Sequence, residues 1–246
     1  MKTIKLGASV TSSNDRDAEA LRSLLREKGI LLINLMSSPG SGKTTLLSRL
    51  IKDLPDLSIA VMEADIESDV DAITIESLGA QAIQVHTSGM CHMDAGMTTE
   101  AVMEILRDCN AEPAAKTAAE SRTDTTTSSQ TSSRPLPDIL FLENVGNLIC
   151  PAEYDTGAAL NLMILSIPEG DDKPLKYPLM FQKSDGLVLS KLDALPYFPF
   201  DLESCTARAR KLHPDIPIFP LSAKTGDGMA ALENWLRLQL AIWRRS

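Results

Sequence analysis

The 246-residue sequence lacks any stretch approaching the roughly 20 apolar residues of a membrane span, which excludes an α-helical membrane protein. Its first residues, M-K-T-I-K-L-G-A-S-V, hold no apolar run of signal-peptide length, and the expected location is cytoplasmic. Basic charge is short as well. The 24 Lys and Arg against 33 Asp and Glu leave a net charge of −9. That argues against a nucleic-acid partner and against an anionic membrane surface. Cysteine is scarce and scattered, at Cys91, Cys109, Cys150 and Cys205. No disulfide framework follows from such spacing, so the four are thiols, either buried or metal-binding. Histidine occurs three times, at His86, His92 and His213. No internal repeat is evident.

What is present is an alternation. Residues 30–36, 58–63, 80–85, 138–142, 160–167, 186–190 and 216–221 are apolar runs of strand length. Between most of them lie helical patterns at 43–53, 70–79, 98–109, 203–213 and 229–243. Strand–helix alternation predicts an α/β fold: a mostly parallel sheet with helices on both faces. A first helix is expected at about 15–28, with Asn14 as its cap, Leu21, Leu24 and Leu25 on one face, and Gly29 as its stop. Residues 111–137 are rich in Ser and Thr without an apolar period. They bury too little surface to offset the entropy of ordering, and a disordered insertion is expected. The organisation expected is one domain over 1–246, with an N-terminal helical extension (1–29) and this insertion.

The strongest motif is S-S-P-G-S-G-K-T-T, residues 37–45, between a strand and a helix as a P-loop requires. Gly40, Ser41 and Gly42 let backbone N–H groups turn toward phosphate oxygens, and the helix N-terminus adds partial positive charge. Lys43 reaches the β- and γ-phosphates, the Thr44 hydroxyl ligates Mg²⁺, and Thr45 completes the cradle. Ser37 stands where the motif has its first Gly, which removes some flexibility at the start of the loop. Asp65 and Glu143 each follow an expected strand and are candidates to hold Mg²⁺ or orient the attacking water. Glu143, in E-N-V-G-N, occupies the Walker-B position, and Gly146 would let the following loop move.

Two later motifs bear on the base. S-K-L-D (190–193) and S-A-K-T-G (222–226) resemble the [NT]-K-x-D and S-A-K motifs of GTPases. The Asp193 carboxylate matches the paired N1–H and N2–H donors of guanine, which adenine lacks. Lys191 lies along the base, and Ser222, Ala223 and Lys224 form the second loop, with the Ala223 N–H facing guanine O6. Ser190 replaces the usual Asn or Thr, which puts the loop-bracing role of that position in question.

Cys91 and His92 are adjacent in S-G-M-C-H-M-D-A, the chain's two softest ligand types side by side. The matching stretches NLMSSPGSGKTTLL (34–47), TSGMCHMDA (87–95), DILFLENVGNLICPAEYD (138–155), EGDDKPLKYP (169–178), SKLD and SAKTG now point to a family. The sequence resembles the hydrogenase nickel-incorporation GTPases of the HypB type. These belong to the dimerising SIMIBI class of P-loop proteins, as urease accessory GTPases do. The resemblance covers nearly the whole chain apart from the insertion.

It implies a GTP-hydrolysing metallochaperone with GTP/GDP, Mg²⁺ and Ni²⁺ or Zn²⁺ as its small-molecule partners. It further implies a homodimer, a HypA-type nickel partner and a [NiFe]-hydrogenase large-subunit precursor. By carry-over, Cys91, His92 and Cys150 are the Ni²⁺ or Zn²⁺ ligands, and thiolate with imidazole suits those ions over Mg²⁺. Lys173, in the 169–178 segment, would face a partner's nucleotide. No arginine finger is evident, so low turnover is expected. The first 36 residues hold neither Cys nor His, so the N-terminal metal motif of many members is not expected here. For Cys109, Cys205, His86 and His213 packing or surface roles are expected rather than ligation. Two rivals share the motifs. One is another P-loop NTPase, either a urease-type accessory GTPase or an ATP-dependent kinase or partitioning protein. The other is a metal-storage scaffold with a vestigial nucleotide site.

Overall fold

A computed structural model of the chain describes residues 7–65, 70–87, 89–110 and 134–246, with the side chains of 7–12, 65, 70, 71 and 110 outside that description. The expected insertion therefore falls outside the described residues, apart from 134–137. Among the described residues seven strands form one sheet. They are β1 (Leu31–Ser37), β2 (Ile59–Asp65), β3 (Gln81–His86), β4 (Ile139–Glu143), β5 (Leu160–Ser166), β6 (Gly186–Ser190) and β7 (Ile218–Pro220). Their order is β3-β2-β4-β1-β5-β6-β7, and every pairing is parallel.

The sequence pattern explains the order. Strands β1 and β4 are buried along their whole length, as central parallel strands covered on both faces must be. Edge strand β3 carries Gln81, Gln84 and His86 and is only partly covered, a composition suited to an edge. At the other edge β7 has three residues rather than the six expected. Pro217 and Pro220 lack an N–H, so the ladder is held by Leu187 and Leu221 donating to Pro217 and Leu189 carbonyls, each at 2.9 Å.

Helices cover both faces: α1 (Gly7–Lys28), α2 (Lys43–Asp53), α3 (Val70–Ser77), α4 (Ala95–Asn110), α5 (Lys173–Lys176), α6 (Pro178–Lys183), α7 (Leu202–Leu212) and α8 (Met229–Trp243). Alternation along β5 and β6 divides the core. Leu162, Ile164 and Val188 join a cluster with α1, α2, α4 and α8, whereas Met163, Leu165, Leu187 and Leu189 pack on α6 and α7. Cys109 and Cys205 are buried within these clusters.

One further expectation is corrected. Helix α1 begins at Gly7, so Asn14 lies inside it and does not cap it. Its side-chain Oδ1 instead accepts from the Ala95 N–H at the start of α4, at 2.9 Å. Short helices α5 and α6 fill a segment whose sequence shows no helical period. Each has a proline in its first turn, where the missing N–H costs nothing.

Candidate functional site

The carboxyl ends of the central strands converge on one edge, and the chain crosses there from the β2–β4 side of β1 to β5. Ligands bind at such a point in open α/β sheets. The P-loop leaves β1 and enters α2 through Gly42, which is left-handed at φ 97°. A cleft of about 560 Å³ lies over it, lined by Gly40, Lys43, Thr44, Thr45, Glu143 and Gly146 among others. The buried Lys43 ammonium donates to Ser37 Oγ at 3.0 Å and lies 3.7 Å from Glu143 Oε1. The Thr44 hydroxyl donates to the same carboxylate oxygen at 3.5 Å. Lys43, Thr44 and Glu143 therefore meet at one spot. Asp65 ends β2 opposite His86, and its side chain lies outside the described residues.

Ser37 does more than shorten the list of glycines. Its hydroxyl also accepts from Ser41 Oγ at 2.7 Å, so one buried oxygen holds two P-loop side chains. Gly146 is needed for space, not for a left-handed turn. A Cβ there would sit 2.9 Å from the backbone nitrogen of Pro39, so the loop after β4 is packed directly on the P-loop.

A second cavity of about 240 Å³ adjoins the first, and both are lined by Gly42, Thr45 and Lys191. Asp193, Ser222, Ala223 and Lys224 complete it. Ser222 Oγ donates to Asp193 Oδ1 at 2.7 Å and so fixes the carboxylate. Lys191 adopts φ 59°, runs its stem across Gly42 and donates to the Gly40 carbonyl at 2.7 Å. Ser190 Oγ donates to the Ser41 carbonyl at 2.8 Å, which braces the P-loop against β6 despite the change from Asn or Thr. Lys173 opens α5 with its ammonium 5.5 Å from the Tyr177 ring, away from the residues lining either cavity.

Beyond β4 the chain runs through Gly146 to Cys150. There it meets the loop after β3, although β2 separates those two strands. The Cys91 thiol donates to Cys150 Sγ at 2.9 Å, and His92 Nδ1 lies 3.8 Å from Cys91 Sγ. One ligand atom from each of the three residues lies within 4.8 Å of the other two. Cys91 is exposed, and Cys150 and His92 are half-buried. The hydrogen bond with Cys150, followed by burial, pushes the Cys91 thiol up. Burial pushes His92 down, against the opposing pull of Asp94 and Glu153, which favours the neutral imidazole that ligates metal. Two sulfurs and one nitrogen form a soft, incompletely closed set suited to Ni²⁺ or Zn²⁺.

Several residues that hold this site give no signal in the sequence. Asn147 Nδ2 donates to the Cys91 carbonyl at 2.7 Å, and its Oδ1 accepts from the Ile149 and Cys150 N–H groups at 2.8 and 3.1 Å. The Tyr154 ring stacks on His92 with centroids 3.8 Å apart. Buried Asn144, directly after Glu143, accepts from the Met93 N–H at 3.2 Å and donates to Asn34 Oδ1 at 3.0 Å. Buried Glu63 on β2 lies in register with Glu143 and lines the same cleft. Asparagine is common in loops, so only the partners brought in by folding give these residues meaning. His213 has the packing role expected, with Nδ1 2.9 Å from the Ser184 carbonyl.

The family model for the CobW/HypB/UreG nucleotide-binding domain matches residues 31–220. The chain belongs to this family of P-loop GTPases. Its relatives include the hydrogenase maturation factor HypB of Rhizobium leguminosarum bv. viciae, 40% identical over 98% of this chain and 72% of that protein. The hydrogenase/urease maturation factor HypB of Helicobacter hepaticus is 38% identical over 98% of this chain and 89% of its own. Among solved structures, HypB from Helicobacter pylori in complex with nickel superposes with a TM-score of 0.79 at 35% identity, covering 93% of this chain and 95% of that one. Among the described residues no helix is long and apolar enough to cross a membrane.

Proposed function

We propose that this chain is a GTP-hydrolysing metallochaperone that binds Ni²⁺ or Zn²⁺ through Cys91, His92 and Cys150 and assists nickel insertion into a [NiFe]-hydrogenase precursor. The observation that carries the proposal is the placement of Cys150. It lies on the segment that starts at Glu143 and packs on the P-loop at Gly146, yet its sulfur sits 2.9 Å from that of Cys91. A shift of that segment with the γ-phosphate moves one metal ligand relative to the other two. Asn144 gives the link a second strand, because it joins the residue after Glu143 to the residue after His92.

In the nucleotide groove Lys43 and the loop N–H groups stabilise charge on the transferring phosphoryl group. Thr44 and Glu143 offer hard oxygen donors that fit Mg²⁺, with Asp65 as a further candidate, and the ion would neutralise phosphate charge there. Asp193, fixed by Ser222, selects guanine. With no arginine of the chain lining the groove among the described residues, slow turnover follows. We read residues 1–246 as one GTPase unit with α1 as its extension, working as a cytoplasmic homodimer with a HypA-type partner and a hydrogenase large-subunit precursor.

The test is nickel titration with mass measurement in solution, with GDP and with a non-hydrolysable GTP analogue. The expected result is stoichiometric nickel lost in a Cys91→Ala, Cys150→Ala protein, and a nickel affinity that differs between the two nucleotides. Equal affinity with both would remove the link between hydrolysis and metal.

A further inference from the structure

The two ligand-bearing loops come from strands that are not neighbours in the sheet, so no ladder fixes one against the other. A third element touches both. Asn14 of α1 accepts from the Ala95 N–H, three residues past His92, at 2.9 Å. The same carboxamide donates through Nδ2 to the Asp155 carbonyl, five residues past Cys150, at 2.8 Å. Of the side chains, Asn and Gln alone carry a fixed acceptor and a two-proton donor on one planar group, so the two partners dictate both the residue type and its orientation.

Two turns further along α1, Arg22 grips the Asp155 carboxylate with two hydrogen bonds of 2.9 Å each. Burial opposes the charge on Asp155, but Arg22 and the Gly157 N–H together hold its pKa below the usual carboxylate value. The loop then lies hard on the helix. Gly157 has φ +78°, and a Cβ there would sit 2.8 Å from Leu21 Cδ2. Helix α1 thus holds the Cys150 loop at Asn14, Leu21 and Arg22, and the Cys91–His92 loop at Asn14.

We infer that α1 is a positioning element for the metal site, with Asn14 and Arg22 setting the distance between Cys150 and the Cys91–His92 pair and hence the affinity for the ion. The inference rests on the metal site proposed above. Neither residue lines the nucleotide groove, so their effect falls on metal and not on guanine nucleotide. Groups that orient metal ligands from behind typically change affinity by about 10–100-fold when removed.

The experiment uses the full chain and Ni²⁺ in competition with a chelator, following the sulfur-to-nickel charge-transfer absorption, with GDP affinity measured in parallel. Asn14→Leu keeps the shape of the side chain and loses both hydrogen bonds. The expected result is a nickel Kd about tenfold weaker with a shifted absorption band and an unchanged GDP Kd. Asn14→Asp keeps the acceptor for Ala95 but sets a carboxylate against the Asp155 carbonyl, and it should fall between wild type and Asn14→Leu. Arg22→Met should behave as Asn14→Leu does, and Arg22→Lys, which keeps the charge, should recover part of the loss. Variants that melt at lower temperature yet keep the wild-type nickel Kd and band would overturn the inference and leave α1 a purely structural brace. A Cys91→Ala, Cys150→Ala protein run alongside separates the two claims. If it retains the wild-type band, the metal site itself is wrong and the inference goes with it.

Discussion

The cleft proposed for nucleotide and the loops proposed for metal sit on the same edge of the sheet but are built in opposite ways. The groove is closed on itself: Lys43 and Ser41 on Ser37, Ser190 on the Ser41 carbonyl and Ser222 on Asp193 are short bonds among mostly buried side chains. Its residues stand at strand ends, where the ladder fixes the backbone. The proposed metal loops have an exposed Cys91, with Met90 40% and Ile149 57% exposed beside the proposed ligands. Their positions depend on single amides, those of Asn147, Asn144 and Asn14. A site that reads one nucleotide gains from rigidity, since misplaced donors lose discrimination. A site that hands an ion onward needs solvent access and ligands that can separate.

The difference can be tested by breaking each side in turn. The largest effect is expected on the metal side: loss of both sulfurs through Cys91→Ala, Cys150→Ala abolishes stoichiometric nickel by metal analysis while GTP hydrolysis continues. Next is Asp193→Asn, which removes the charged acceptor for two guanine donors. It should weaken GTP by about a thousandfold in a competition assay and leave nickel binding intact. Lys43→Ala should lower the single-turnover rate of GTP hydrolysis by about 10²–10³-fold, as removal of one preorganised charge-stabilising donor does elsewhere.

Asn144→Ala crosses the boundary between the two regions. It leaves the Met93 N–H and Asn34 Oδ1 without their Asn144 partner, at about 1–3 kcal/mol each in thermal or urea unfolding. It should also narrow the difference in nickel affinity between GDP and a GTP analogue. The smallest effect is chemical. At neutral pH a maleimide should label Cys91 and Cys150 and spare Cys205, whose thiol is pushed up to about 12 by burial first and by Asp171 second. Equal labelling of Cys205 would contradict its buried position.

Much of the fold is legible without coordinates. Parallel strands covered on both faces are continuous apolar runs, and helices α2 and α8 start and stop at the residues their patterns mark. The places where pattern and structure part have local causes. Prolines shorten β7, and prolines in their first turns disguise α5 and α6 as loop. Asn14 reads as a cap because capping is the commonest local use of asparagine, yet its partners lie 81 and 141 residues away. Ser37 and Ser190 read as weakened motifs, and in the structure each hydroxyl bonds the P-loop.

Strand–helix alternation, the phosphate-loop motif, the guanine-type motifs and the soft Cys91–His92 pair are all legible in the residues alone. Each of these is a local pattern, set by side-chain period or by residues a few positions apart. The resemblance grouped Cys150 with Cys91 and His92; the fold shows that their ligand atoms meet, and that Asn14, Asn144 and Asn147 bond the loops that carry them. A polar side chain takes its role from whichever donor or acceptor the fold brings within about 3 Å, and in this protein those partners arrive from other crossovers of the sheet.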